Sequence, residues 1–145
     1  MEINFDNRQT RIDTDSDRFR NLAAAVLEDL ACSPATSLSV VVVAADEMAE
    51  LNLRYRGKEG ATNVLSFSQT EGGDPNPQAG LLGDVVICAD RAEQDARELG
   101  YTTDEMLLYL LIHGILHLVG FTHDAPADAD AMASKVDAIF HRLVE

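Results

Sequence analysis

Apolar residues along the chain switch between two spacings, and each switch marks a new element. From Ser16 onward Phe19, Leu22, Ala23, Val26, Leu27 and Leu30 recur at helical intervals, with Asp15 or Ser16 placed to cap the helix and Pro34 just past its end. INF at 3–5 predicts a short first strand. LSVVVVAA at 38–45 is a continuous β-branched run, which predicts a strand buried on both faces. Asp46 is placed to cap the next helix, which carries Met48, Leu51 and Tyr55 and is broken by Gly57 and Gly60. NVLSFS at 63–68 alternates as a half-buried strand does, and LLGDVVIC at 81–88 supplies another strand. TEGGDPNPQAG at 70–80, between them, is too polar and too broken to pack and predicts a loop.

Three helices follow. ADRAEQDARELG at 89–100 ends on Gly100. TTDEMLLYLLIHGILHLVG runs from a Thr cap at 102 or 103 to Gly120, and its near-continuous hydrophobicity marks it as central and enclosed. The last helix, roughly 127–143, offers Met132, Val136, Ile139, Phe140 and Leu143 to the core. The expected fold is therefore α/β or α+β, with a mixed sheet of about four strands packed with about five helices in one domain spanning 1–145.

Charge narrows the function. The formal net charge of −14 opposes broad binding to a polyanion, so any nucleic-acid role needs a local basic patch or a bound cation. Arg54, Arg56 and Lys58 form such a patch, three of the chain's 11 basic residues. No apolar run is long enough to span a bilayer, and the N-terminus lacks a basic-then-apolar leader, which points to the cytoplasm and no membrane contact. Cys32 and Cys88 sit beside apolar runs, do not form a CxxC pair and read as buried, inert thiols.

The chemistry concentrates in HGILHLVGFTH at 113–123, which holds three of the four histidines. His113 and His117 are four residues apart, a turn of about 40°, so both imidazoles project from one helix face. Gly120 suits a left-handed helix end that reverses the chain and lets His123 swing back. Three imidazoles with an open fourth position form the donor set of a catalytic zinc site, with one ion expected per chain. A lone histidine on an apolar helix is more often a satisfied core residue; three at ligand spacing around a glycine are not so easily explained. The spacing matches the metzincin signature, except that the metzincin general base, a Glu directly after the first His, is replaced by Gly114. That substitution counts against ordinary peptide hydrolysis. A helix-interior glycine costs about 1 kcal/mol against alanine, so a small group is required at 114, facing either substrate or another backbone. His141 has no partner nearby in sequence and reads as a surface residue.

Three blocks together carry a family resemblance. HGILHLVGFTH resembles the HGxLHLxGxxH motif of the YbeY family of bacterial rRNA maturation factors. LNLRYRGKEGATNVLSFS at 51–68 and LLGDVVIC at 81–88 are similar to that family's two other blocks, in the same order. The resemblance implies a zincin-like central helix with His113, His117 and His123 as zinc ligands. It also implies a single-strand-specific endoribonuclease acting in 16S rRNA 3′-end maturation and ribosome quality control. The implied partners are the rRNA precursor and the small ribosomal subunit, with a ribosomal protein or an assembly GTPase as further candidates. Arg56 matches the family's functional arginine; the residues alone leave a helix-capping or solvated cation equally open. The chain departs from the family pattern at Thr122, where Asp is usual, and at Ser68, where Pro is usual.

Arg56 and His113 are thus the expected catalytic residues, with a water or the RNA's own 2′-hydroxyl as nucleophile. Asp84 interrupts an apolar strand, and a buried carboxylate needs a partner; orienting a ligand histidine or the attacking water and a purely structural pairing are equally open. Asp124 reads as a cap for the last helix, Arg54 and Lys58 as phosphate-steering or solvated cations, and Met132 as ordinary helix core. Two alternatives accompany the nuclease: an assembly factor whose metal is mainly structural, and a zincin-like metallohydrolase.

Overall fold

The computed structural model describes residues 1–69, 80–121 and 125–145. Most of the expected loop at 70–80, together with Thr122, His123 and Asp124, lies outside the described residues. The elements run β1 (Glu2–Asn7), α1 (Ser16–Asp29), β2 (Ser37–Val43), α2 (Ala45–Arg56), β3 (Val64–Ser68), β4 (Leu81–Cys88), α3 (Ala89–Leu99), α4 (Thr103–Leu118) and α5 (Pro126–Leu143). The sheet order is β1-β2-β4-β3. β1, β2 and β4 are parallel, and β3 pairs antiparallel to β4 along one edge. This is the α+β arrangement of a four-stranded mixed sheet with five helices that the periodicity predicts.

α4 is the spine. It packs against β3 and β4 and is flanked by α1, α3 and α5. Thr102 caps it through a reciprocal box, accepting from the Glu105 backbone N–H at 3.1 Å while the Glu105 carboxylate accepts from the Thr102 N–H at 2.9 Å. Its contact with α5 is fixed by Tyr109, whose hydroxyl donates to Asp137 at 3.1 Å; burial and that carboxylate push the phenol up to about 12. Val85, Ile87 and Leu82 of β4 join Leu111, Ile115 and Leu118 in the main core.

The two faces of the sheet differ, which corrects one expectation. β2 is not buried on both faces: Leu38, Val40 and Val42 are buried, while Ser37, Ser39 and Val41 are half-buried on the other side. α2 covers only part of that second face, through a smaller cluster of Val43, Met48, Leu65, Val86 and Cys88. The pleat of β4 changes phase at a register shift, where Ser37 and Leu38 face Leu81 and Gly83 and leave Leu82 as the extra residue. Leu82 therefore shares a core with Val85 and Ile87 despite the odd spacing.

Some end signals also differ. The N-cap of α2 is Ala44, and Asp46 lies within the first turn; the carboxylate that takes the Ala45 N–H, at 2.7 Å, belongs to Asp90 at the start of α3. The N-cap of α5 is Ala125, with Pro126 beginning the helix, so the expected capping residue Asp124 lies one position before it and outside the described residues. Leu143 is 37% exposed rather than core. Met132 is buried and His141 is exposed, both as expected, but His141 Nδ1 lies 3.1 Å from the Glu145 carboxylate, a partner one turn away that the sequence reading missed. Cys88 is buried and Cys32 half-buried; both thiols are free and pushed up by burial, which keeps them protonated and unreactive.

α1 ends with Ala31 at φ +61°, its N–H bonded to Glu28 O and the Cys32 N–H bonded to Leu27 O, a paired closure that glycine normally provides. Relief of the left-handed strain, about 1–2 kcal/mol, exceeds the extra unfolded-state entropy of glycine, about 0.4–1 kcal/mol. Ala31→Gly should therefore raise the thermal midpoint by a few degrees, about 2–4 °C per kcal/mol for a chain of this size. A lowered midpoint in calorimetry would contradict the strain assignment.

Candidate active site

From residue 110 to 118 every position of α4 is buried except His113 and His117, which are half-buried. Those two imidazoles, one turn apart, open the otherwise enclosed helix onto a cleft. Their ring centroids are 5.0 Å apart with the rings inclined at 67°. Gly114 explains how the helix comes so close to the sheet. A Cβ there would lie 2.5 Å from Val85 Cγ1 and 3.2 Å from Ser66 Oγ, so the small group is demanded by β3 and β4. Ser66 Oγ donates to the Gly114 carbonyl at 2.9 Å and ties α4 to the edge strand.

Past His117 the helix closes by two bonds, Gly120 N–H to His117 O at 3.2 Å and Phe121 N–H to Leu116 O at 3.0 Å, with Gly120 at φ +106°. This is the left-handed reversal expected from Gly120. His123, the third expected ligand, lies outside the described residues. Among the described residues no group of three His, Cys, Asp or Glu side chains is gathered as a metal would require. His113 and His117 supply two adjacent imidazoles, the donor type zinc takes, and that pair fits part of a zinc set.

The facing wall comes from the end of α2 and the segment leading into β3. Arg56 is the last residue of α2, Gly57 turns the chain at φ +67°, and Lys58 follows. Asn52 is buried and its Nδ2 donates to Gly60 O at 2.9 Å, holding the turn against the helix. Arg56, Lys58, Asn63, Ser66, His113 and His117 all line one cleft of about 340 Å³. Arg54 does not line it.

Charge pairing isolates this patch. Arg8, Arg11, Arg18, Arg20, Arg91, Arg97 and Arg142 are all in ion pairs with carboxylates. Among the described residues, the basic side chains outside such pairs are Arg54, Arg56, Lys58 and Lys135. Three of those four stand at the end of α2. The cations there are also favourable to the helix dipole, the structural role that sequence alone left open.

Asp84 belongs elsewhere. The phase change in β4 turns it to the α2 face with Val86, into a separate groove with Tyr55, Phe67 and Gln69, where Gln69 Nε2 lies 3.5 Å from its Oδ2. It does not line the cleft of His113 and His117, so it orients neither of those two imidazoles. Conversely, Asn52, Asn63 and Ser66 escaped the sequence reading. The polar residues of TNVLSF were a signal, but only the position of β3 at the sheet edge beside α4 shows that they face a cleft.

The fold and site define a class: an α+β domain whose central helix presents paired histidines at the sheet edge, opposite a basic helix end. A family model described as Endoribonuclease YbeY matches residues 4–144. The chain is 37% identical to Endoribonuclease YbeY of Syntrophotalea carbinolica, over 99% of this chain and 96% of the relative. It is 39% identical to Endoribonuclease YbeY of Geobacter sulfurreducens over the same shares. The solution structure of TM1509 from Thermotoga maritima superposes with a TM-score of 0.64 at 28% identity, covering 97% of this chain and 88% of that one. The chain belongs to the endoribonuclease YbeY family.

Proposed function

We propose that the protein is an endoribonuclease that cleaves single-stranded RNA in small-subunit rRNA precursors in the cytoplasm, using one zinc ion held by His113, His117 and His123. The observation that carries this reading is the convergence of His113 and His117 from α4 with Arg56 from α2 on one cleft. Family membership supports RNA as the substrate, and the unpaired cations at the cleft supply what an acidic protein needs to hold a phosphodiester.

When bound, such an ion polarises a phosphoryl oxygen and acidifies water. The chain's own residues do the rest. Arg56 presents a planar fork of donors to the non-bridging phosphoryl oxygens, where negative charge grows as the P–O bond breaks. Lys58 holds a neighbouring phosphate as a point charge. β3, tied to α4 through Ser66 and Gly114, fixes the distance between the histidine wall and the backbone it faces. Gly114 also weighs against a peptidase. Its Cβ direction runs into Val85, so the sheet occupies the place where a general-base side chain would begin.

The test is elemental analysis of the purified protein. About one zinc per chain is expected, and His117→Ala should lose it, because two remaining imidazoles do not complete a tetrahedral set. Cleavage of a single-stranded RNA should vanish with chelator and return with zinc in the parent only. Unchanged zinc in His117→Ala would show that this histidine set does not hold the metal.

A further inference from the structure

One polar group in the cleft has its orientation fixed from behind. Asn63, immediately before β3, lines the cleft with His113 and Arg56. Its Nδ2 donates to Asp95 Oδ2 on α3 at 3.0 Å. The Asp95 side chain is only 15% exposed, and its other oxygen lies 3.9 Å from Arg91 Nη2. A carboxylate at neutral pH only accepts hydrogen bonds, so the amide nitrogen of Asn63 must be the atom that faces it. The carbonyl oxygen Oδ1, about 120° away on the same planar group, is turned from Asp95 and accepts from no described residue. Asn63 thus brings an acceptor of set orientation to a cleft whose other groups suit anions, Arg56 and Lys58 foremost.

An acceptor is the wrong group for a phosphodiester, which offers only acceptors itself. The one donor on the backbone of RNA is the ribose 2′-hydroxyl, and DNA lacks it. We infer that Asn63 Oδ1 accepts a hydrogen bond from the 2′-hydroxyl of a nucleotide in the cleft and so selects RNA over DNA, with Asp95 as its positioning residue. The inference rests on the proposal that this cleft holds RNA. It makes Asn63 a specificity residue distinct from the metal ligands and from Arg56.

The experiment is equilibrium binding by fluorescence anisotropy, with an unstructured single-stranded RNA and a series of the same sequence carrying one 2′-deoxy position at a time. The proteins are the parent, Asn63→Ala, Asp95→Ala and Arg56→Ala. In the parent, one deoxy position should weaken binding on the order of three- to tenfold, the worth of one neutral hydrogen bond. Asn63→Ala should bind the all-ribose strand more weakly and show no penalty at that position. Asp95→Ala should show a reduced penalty, because the amide is then able to turn. Arg56→Ala should weaken every oligonucleotide alike and keep the penalty. An equal penalty in the parent and Asn63→Ala overturns the assignment, as does a loss that follows base identity rather than the sugar. Absence of any sensitive position in the parent overturns it without reference to a variant, so a folding defect in Asn63→Ala does not shelter it. Binding that ignores Arg56→Ala overturns the cleft reading as well, which separates the two failures.

Discussion

Arg56→Ala should unfold within a few degrees of the parent's midpoint and as cooperatively, match the parent's zinc content, and cleave RNA on the order of 10²–10³-fold more slowly, the usual effect of removing one donor aimed at developing charge. The stability half of the expectation follows from the structure. Arg56 is exposed at the helix end and its side chain makes no ion pair or hydrogen bond among the described residues, so its removal leaves no group unsatisfied. The rate half follows from its place in the cleft with His113 and His117. Arg56→Lys should recover only part of the loss, because an ammonium keeps the charge but not the bidentate fork. Calorimetry, zinc analysis and single-turnover cleavage on one preparation decide the matter. A lost cooperative transition in Arg56→Ala would show that the residue holds the α2 terminus, and its catalytic assignment would fall.

Gly83→Ala should be strongly destabilising. A Cβ at Gly83 would lie 2.4 Å from Phe67 O and 2.9 Å from Leu118 Cδ2. Leu118 has a flexible end, but the Phe67 carbonyl is backbone in the β3–β4 ladder and moves only if the edge strand moves. Overpacking of this kind costs about 1–3 kcal/mol and more where the obstacle is rigid, and the φ of +157° adds strain for any side chain. A loss of roughly 3 kcal/mol is expected, on the order of 10 °C in thermal midpoint. Gly57→Ala is the control. Gly57 also has positive φ, +67°, yet an added Cβ meets nothing within 4 Å, so only the left-handed strain of about 1 kcal/mol applies. Equal effects of the two substitutions in urea titrations would show that the collision at Phe67 relaxes freely. Because β3 lines the cleft, Gly83→Ala should also raise KM for RNA.

How much of this could be read from residues depends on the range of the interaction. α4 was legible from Thr102 to Gly120 because its cap, its apolar run and its closing glycine are all local signals. The pairing of His113 with His117 was legible for the same reason, since helical spacing alone sets it. Asp46 misled because capping of α2 is done across space by Asp90, 45 positions away in sequence. β2 misled because a β-branched run reports burial but not which face α2 leaves uncovered. Gly114 announced that something must come close without saying what, and only the sheet order supplies Val85 and Ser66. Asp84 could not be placed, because the extra residue at Leu82 reverses the side to which it points. Asn63 was missed for the deepest reason: its chemistry depends on a strand edge, and edges are a property of the whole sheet.

The pairing of the surface arginines has a kinetic consequence. Seven arginines are neutralised locally by carboxylates, while Arg56 and Lys58 at the cleft are not, on a chain whose formal net charge is −14. A polyanion repelled by the net charge meets attraction at that cleft, so the field should favour one orientation of approach before any contact forms. Mobile ions weaken the repulsion and the attraction together. The rate of productive arrival is thereby buffered against ionic strength, unlike that of a uniformly basic protein, which gathers nucleic acid indiscriminately at low salt and loses it at high.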